Sequence, residues 1–451
     1  MGRSAVQTVA DGKKVVVTDP APRVADVTSA ERIDSRRVDR IVRSVRRFIE
    51  WLDAFGETSY DFQTVYASRL GRRAKSLYYE HPRVGKLAVA PMVACEAFLP
   101  SARRMFFKPQ RFPIADAHYA MGFARLYRHT GNVYHLDRAR HFLEVLLRTS
   151  CQGRSGYGWG YPFDWVTVDG TIPAGTPLIT TLPYVYEAFA SVYKIDHQLR
   201  WLQVMRSIAS HAAADYANHP TAAGESASYS PLSWDRGQVV NASAYRAFLL
   251  TRAGRDLHRS DYAEAAEPNL RFVLAAQNAD GSWPYATDGR RRFVDHFHTC
   301  FVLKSLIKIE AVTGSESCAH AIRTGLRYYE QSLFDSDGWP RPFAVAPRRV
   351  LYRHELYDYA ECLNLATLAQ GRSARLDALA TRAVEDLLSR WQKPDGSFRS
   401  RQLLWGWDEV PMHRWAQAQL FRSLCGLLPG AEKRSGPNAA YRPSMPPAPA
   451  E

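Results

Sequence analysis

A chain of 451 residues with 46% hydrophobic and 12% aromatic content holds enough apolar material for one large core. No apolar run approaches the roughly 20 residues that cross a bilayer, and the N-terminus lacks the order of a secretory signal, so a cytoplasmic protein is the default expectation. The formal charge of +14, from 59 Lys and Arg against 45 Asp and Glu, is spread as Arg over many segments such as RRVDRIVRSVRR; it matches no nucleic-acid module and leaves either a solvated basic surface or an acidic partner.

Met1 to Asp34 is polar, without sustained periodicity, and reads as a disordered tail. Residues 35–429 read as one helical domain. Its first helix carries Val38, Ile41, Val42, Val45, Phe48, Ile49, Leu52 and Phe55 at helical spacing, ends at Gly56, and is expected to pack across the array that follows. The apolar stretch Leu87 to Leu99, flanked by Arg83, Lys86, Arg103, Arg104 and Lys108, reads first as a buried helix and second as a segment lying in a membrane interface.

From there a unit recurs: a periodic helix, a turn at Gly, a second periodic helix, and a loop with Asp-Gly. The turns fall at Gly131, Gly254, Gly314 and Gly371, with a hidden one near Lys194 to Gln198. The Asp-Gly loops fall at Gly281, Gly338 and Gly396, so the unit repeats every 57 to 60 residues. Each hairpin can bury its apolar face only against neighbours, which implies about six units in an all-α array. A closed ring, the (α/α)6 barrel, satisfies this, with an open solenoid as its rival. Residues 430–451, rich in Pro and Ala, read as a second disordered tail.

The connections between hairpins are long and carry most of the later tryptophans. Trp159, Trp165, Trp234, Trp283, Trp339, Trp405 and Trp407 sit among Gly, Pro, Asp and Arg rather than on periodic helix faces. Flat rings beside carboxylates and guanidinium groups suit a sugar, whose faces are C–H and whose edge is hydroxyl. The alternative is that these rings plug the loops onto the barrel rim. Trp159, Tyr161, Trp165, Trp283 and Trp415 are the candidates for contact with substrate, with Asn241 and Gln417 as hydrogen-bond partners at the starts of inner helices.

Two helices open with polar residues. Asp295, His296 and His298 begin one, with Asp295 and His298 sharing a face; His354, Glu355, Tyr357 and Asp358 begin another. Asp295 is also an ordinary N-cap, and His298 a possible satisfied core histidine. Chemistry on sugars needs an acid and a base about a sugar-width apart. Asp164, Asp295, Glu355 and Asp358 are the carboxylate candidates for hydrolysis. For elimination or epimerisation of a uronate, His298, His354 and Tyr357 would move the proton while Arg353 or Arg414 neutralises the sugar carboxylate. A zinc site from His296, His298 and Cys300 would need incompatible helix faces, so no metal is expected, nor any cofactor. The six cysteines, scattered singly, read as buried free thiols.

The segments RFPIADAHYAMGFARLYRHTG, GYGWGYPFDW with PAGTPLITT, QNADGSWPYA, VDHFHTCFVL and VPMHRWAQAQL resemble a VpsJ-like bacterial family found with exopolysaccharide and capsule biosynthesis proteins. The resemblance covers the array from LAVAPMVACEAFLPS onward. It implies an (α/α) toroid, of the six-hairpin kind shared by glycan-active enzymes and terpenoid cyclases, and brings no catalytic residues with it. The functional expectation is a carbohydrate-active or carbohydrate-binding protein of hydrolase, lyase or epimerase type, its partner a poly- or oligosaccharide, acidic polymers included, and not nucleic acid. Two alternatives stand beside it. One is a prenyltransferase or terpenoid cyclase, since QNADGSW looks like the glutamine-tryptophan motif of triterpene cyclases, although DxDD and DDxxD are absent. The other is a non-catalytic scaffold with peripheral contact to the inner membrane.

Overall fold

The computed structural model describes residues 24–151 and 155–430. Helix α1 (Val24–Phe55) is followed by four helices in the segment before the repeats: α2 (Thr64–Ala67), α3 (Arg69–Glu80), α4 (Pro82–Phe98) and α5 (Arg103–Phe106). Five hairpins come next: α6 (Pro113–Thr130) with α7 (Val133–Arg148), α8 (Leu182–Asp196) with α9 (Leu199–Ala214), α10 (Val240–Leu257) with α11 (Ser260–Ala275), α12 (His296–Thr313) with α13 (Glu316–Ser332), and α14 (Leu356–Leu368) with α15 (Ala374–Asp386). Helix α16 (Ala418–Gly426) ends the array.

The first helix of each hairpin is inner, the second outer. Helix α10 is buried without a break from Val240 to Thr251, whereas α13 buries Cys318, Ala321, Ile322, Gly325, Leu326 and Tyr329, the single stripe of an amphipathic surface helix. Inner helices pack in the order α6, α8, α10, α12, α14, α16, and α16 returns to α6. The ring is closed, and the protein is an (α/α)6 barrel. Helix α1 does not cross the array as its periodicity suggested; it runs along the outside against α16 and serves as the sixth outer helix. It begins at Val24, inside the stretch read as a tail. The rest of that tail and residues 431–451 lie outside the described residues.

One device repeats around the barrel. A glycine after an outer helix approaches the backbone of the next outer helix so closely that a Cβ would lie 2.0 Å from Ser207 O at Gly156, 2.3 Å from Pro268 O at Gly224, 2.4 Å from Thr324 O at Gly281 and 2.2 Å from Arg47 O at Gly396. The last of these clamps the end of the array onto α1. Around it the Gln392 amide donates to Ser44 O at 3.0 Å and the Arg47 guanidinium to Lys393 O at 2.8 Å, while the ring of Phe48 packs on Phe398 and Phe421.

Gly131 and Gly314 cap α6 and α12 in the left-handed region, and Gly371 lies there just past the end of α14. The hidden turn is at His197, also left-handed. Gly254 differs from expectation: α10 runs on to Leu257, His258 takes the left-handed cap, and Gly254 instead admits α11, its absent Cβ lying 3.0 Å from Arg259 O.

The long connections hold short antiparallel strands: β1 (Trp165–Val166) with β2 (Thr171–Ile172), β3 (Asn218–Thr221) with β4 (Gly224–Ala227), β5 (Val294–Asp295) with β6 (Phe343–Val345), and β7 (Tyr352–Glu355), β8 (Arg401–Leu403) and β9 (Trp407–Asp408) in one sheet. Each connection bonds to the next, through Ile179 N to Tyr229 O, Val240 N to Tyr285 O, His296 N to Pro342 O and Leu356 N to Ser400 O. They form a continuous collar around the end of the barrel where the inner helices begin. Helices α2 to α5 lie against this collar, with α3 on β1 and α4 on α3. Helix α4 is not buried: Val84, Leu87, Phe98 and Leu99 are exposed. Of the free cysteines, Cys300, Cys318, Cys362 and Cys425 are buried as expected and Cys95 and Cys151 are partly so.

Candidate active site at the mouth of the barrel

Helix α12 begins at the collar with Asp295 as its N-cap. One carboxylate oxygen accepts from His298 N at 2.9 Å, and the other is 2.6 Å from His298 Nδ1. A carboxylate oxygen accepts, so Nδ1 is the donor in this contact, and in the neutral ring Nε2 is the acceptor. The ring is held from the sides by Tyr285 (4.6 Å between centroids), Phe297 (4.5 Å) and Phe301 (5.5 Å). His298 retains 20% side-chain exposure, so this oriented base can meet a ligand.

The start of α14 supplies the second group. Asp358 is fully buried, and neither of its carboxylate oxygens has a hydrogen-bond partner among the described residues. Burial above all, and then the negative charges of Glu355 and Asp295, hold its carboxyl well above the ordinary range despite the opposing pull of Arg401. These surroundings favour the neutral, protonated form of the Asp358 carboxyl. Glu355, its neighbour, is occupied: Arg401 donates to it from Nε and Nη2, each at 2.8 Å. Two carboxyls one helical turn apart thus sit in different surroundings: Glu355 has a guanidinium bonded to it, and Asp358 has no hydrogen-bond partner among the described residues.

Aromatic and cationic walls connect these helices. Tyr357 stacks edge-on against Trp415 at 4.4 Å, and Phe297 meets both at 5.2 and 5.4 Å. Arg414 lies 4.3 Å over the ring of Tyr161, which abuts Trp165 at 5.5 Å, which in turn abuts Tyr229 at 5.6 Å. Arg414 is held from below by Asp61 through bonds of 2.7 and 2.8 Å. Above it, Lys75 of α3 is pushed down to about 8, chiefly by burial and then by the positive charges of Arg348 and Arg414. Lys75 thus shares its buried surroundings with two guanidinium groups, of which Arg414 is paired with Asp61.

Asp295, His298, Tyr357, Asp358, Tyr161, Trp165, Arg414 and Trp415 are thus joined by direct contacts or mutual electrostatic influence. Other candidates lie elsewhere. Trp159 and Trp283 are buried braces whose indoles donate to Leu146 O at 2.8 Å and Val273 O at 3.0 Å. Gln417 exchanges two bonds with the Phe398 backbone. Gln277 ties Gly281 O to Ala321 O and Thr324 Oγ1, so the QNADGSW segment is absorbed by repeat bracing. His354, its Nδ1 on Pro340 O at 3.0 Å, and Arg353 line a separate rim cleft of about 430 Å³ with Trp339 and Arg390. Asp164 lines another, of about 380 Å³, between the collar and α2, ion-paired to Arg72 at 3.3 Å. Asn241, at the start of α10, is buried with its amide oxygen unpartnered. Asp164 and His354 thus line different clefts, and Trp159 and Trp283 are buried in the core.

Sequence reasoning missed the polar column beneath the mouth. Lys304 pairs closely with Glu361, Lys308 with Glu187 at 2.7 Å, and Arg422 reaches toward Glu187 at 3.6 Å and His118 at 3.3 Å. The signal was present: VLKSL, YAECL, VYEAF and LFRSL each place one charge inside an otherwise apolar inner helix. His296 faces away, its Nε2 2.7 Å from the Tyr329 hydroxyl. Among the described residues no group of three His, Cys, Asp or Glu is placed to hold a metal.

No protein-family model and no curated protein sequence matches the chain. Solved structures do match by shape. A cellobiose 2-epimerase from Bacillus thermoamylovorans superposes with a TM-score of 0.55 at 10% identity over 70% of this chain and 87% of its own. A sugar epimerase from a ruminal bacterium gives 0.53 at 13% identity over the same shares. A family 76 glycoside hydrolase from Bacteroides thetaiotaomicron gives 0.54 at 10% identity over 72% and 70%. The chain has the fold of these enzymes. At such identities the likeness extends to architecture alone.

Proposed function

We propose that the protein is a carbohydrate-active enzyme that moves protons on an acidic sugar at the barrel mouth, with His298 as base and Asp358 as acid. The observation that carries this reading is the juxtaposition of two groups: an imidazole oriented by Asp295 through Nδ1, and a buried carboxyl without a hydrogen-bond partner among the described residues, whose neutral form burial and like charge favour. The cationic groups Lys75, Arg348 and Arg414, the last paired with Asp61, support a substrate bearing a carboxylate, as a uronate does. Such charge also favours the enediolate that forms when a proton leaves the carbon beside that carboxylate. Tyr161, Trp165 and Trp415, which are partly exposed, offer the flat faces a sugar ring needs.

On this reading the reaction is lyase or epimerase in type, and the VpsJ-like segments suggest an exopolysaccharide or capsule glycan as substrate. Hydrolysis is the second reading, supported by Asp358 alone, since a protonated buried carboxyl is what a leaving-group oxygen requires. One experiment separates them. The protein is incubated in deuterium oxide with uronate-containing and neutral oligosaccharides, and products are followed by proton NMR and mass spectrometry. Carbon-bound deuterium or a new conjugated double bond, lost in His298→Gln and Asp358→Asn, supports proton abstraction; new reducing ends without exchange support hydrolysis. No reaction and no calorimetric binding across the panel overturns both.

A further inference from the structure

We infer that helices α3 to α5 form a docking surface for an anionic lipid bilayer, so that the barrel mouth sits at a membrane face. Among the described residues no helix is long and apolar enough to cross a membrane; the surface is one for lying on it. Val84, Leu87, Pro91, Ala94 and Phe98 are all exposed and recur at i, i+3, i+7, i+10 and i+14, a single apolar stripe along the length of α4. Leu87 is 76% exposed and Phe98 56%; beyond the helix end Met105 is 80% and Trp405, at the tip of the β8–β9 turn, 74%. Trp405 and Phe98 stack with centroids 5.9 Å apart, which gathers these apolar groups from two distant parts of the chain into one patch. Water-facing patches of this size mark a partner.

Charge decides what the partner is. Residues 69–108 contain nine Lys and Arg against two Glu, half of the chain's formal +14 in under a tenth of its length. Arg83, Lys86, Arg104 and Lys108 are exposed, and no carboxylate among the described residues pairs with them. Arg103 is the exception, buried and bonded to Glu96 and Asp408, and it fixes α5 to the collar. An apolar stripe shouldered by unneutralised cations with an exposed Trp at one end matches the boundary between anionic headgroups and acyl chains. A second copy of the chain would bring two such positive surfaces face to face, which like-charge repulsion opposes. Lys75 of α3 also lies within electrostatic reach of Arg414, so docking through these helices brings the candidate site toward the bilayer and toward glycan held at its surface.

The test is flotation of the full chain with vesicles of phosphatidylcholine alone and of phosphatidylcholine mixed with phosphatidylglycerol. The wild type should float with the anionic vesicles only, and raising salt should release it. Leu87→Glu with Phe98→Glu should lower partitioning about tenfold or more, and Arg83→Gln with Lys86→Gln about fivefold per charge removed. Because all four positions are exposed, thermal midpoints should stay at the wild-type value, and oligosaccharide binding measured without lipid should be unaffected, so that failure here is distinct from failure of the proposed activity. The inference is overturned if the wild type stays at the bottom of both gradients, if the paired variants float like the wild type, or if light scattering shows a dimer that the Glu variants dissociate while vesicle binding is unaltered.

Discussion

Asp358 and His298 differ in what makes them reactive, and that difference predicts different behaviour on substitution. Asp358 holds a proton in the folded state that the unfolded chain releases near its ordinary value of 3.8. Its contribution is therefore full below that value, and stability falls as pH rises toward the raised folded value. Asp358→Asn should flatten this slope and raise the melting temperature at neutral pH by about 1–4 °C, while lowering turnover about 10²–10⁴-fold. Scanning fluorimetry across pH checks the first and the oligosaccharide assay the second; a variant that melts earlier at every pH would mark Asp358 as structural. Asp295→Asn preserves an N-cap but offers an amide N–H where His298 needs an acceptor. It should lower kcat about 10²–10³-fold with KM within about twofold.

Lys75 carries a prediction about binding. Its ammonium is held at about 8 by burial and by Arg348 and Arg414, and an anionic ligand beside it would raise that value. Binding then takes up a proton, so affinity for an acidic oligosaccharide should be strongest below about pH 8 and weaken above it. Calorimetry at pH 7 and pH 9 checks this, with Lys75→Met expected to be weaker and indifferent to the change. Asp295, His298, Asp358 and Arg414 were singled out from sequence; Lys75 and Arg348 were not, because their segments gave no pattern that tied them to residues far away in the chain.

At the scale of elements, glycines with the same left-handed backbone do two kinds of work. Gly371 faces open space, so Gly371→Ala should cost only the backbone strain of about 1 kcal/mol. Gly281 adds a steric demand, since its Cβ would lie 2.4 Å from Thr324 O. Gly281→Ala should therefore cost about 2–4 kcal/mol, because backbone must move to admit it. Equilibrium urea unfolding of the two variants measures the gap, and equal losses would remove the clamp as an explanation of the Asp-Gly repeat. That repeat was visible in the sequence as spacing. Its purpose was not, nor was the role of Trp159 and Trp283, whose apolar loops looked like binding surface until their indole donors were found on helix carbonyls.

At the scale of the molecule, closure depends on α1. Phe48 is 1% exposed and reaches rings from both ends of the array, Tyr119 of α6 and Phe421 of α16. Phe48→Ala should cost about 3–5 kcal/mol, with early loss of hydrogen-exchange protection in α16 and α6 as the seam opens. Retention of protection there would mean the inner ring closes without its sixth outer helix. Leu87 to Leu99 shows the limit of reading at this scale: an apolar run looks the same whether a core or a membrane is to cover it.

The sequence by itself determined the helices, most of their ends and the number of hairpins, because apolar period, capping and left-handed turns act within a few residues of chain. It also marked the polar starts of α12 and α14. The tertiary structure alone decided that the ring closes, that Arg401 neutralises Glu355 while Asp358 is left without a partner, and that Asp61 carries Arg414. Those pairings join residues up to 353 positions apart. Protonation state and burial follow from such neighbours, which no local pattern encodes.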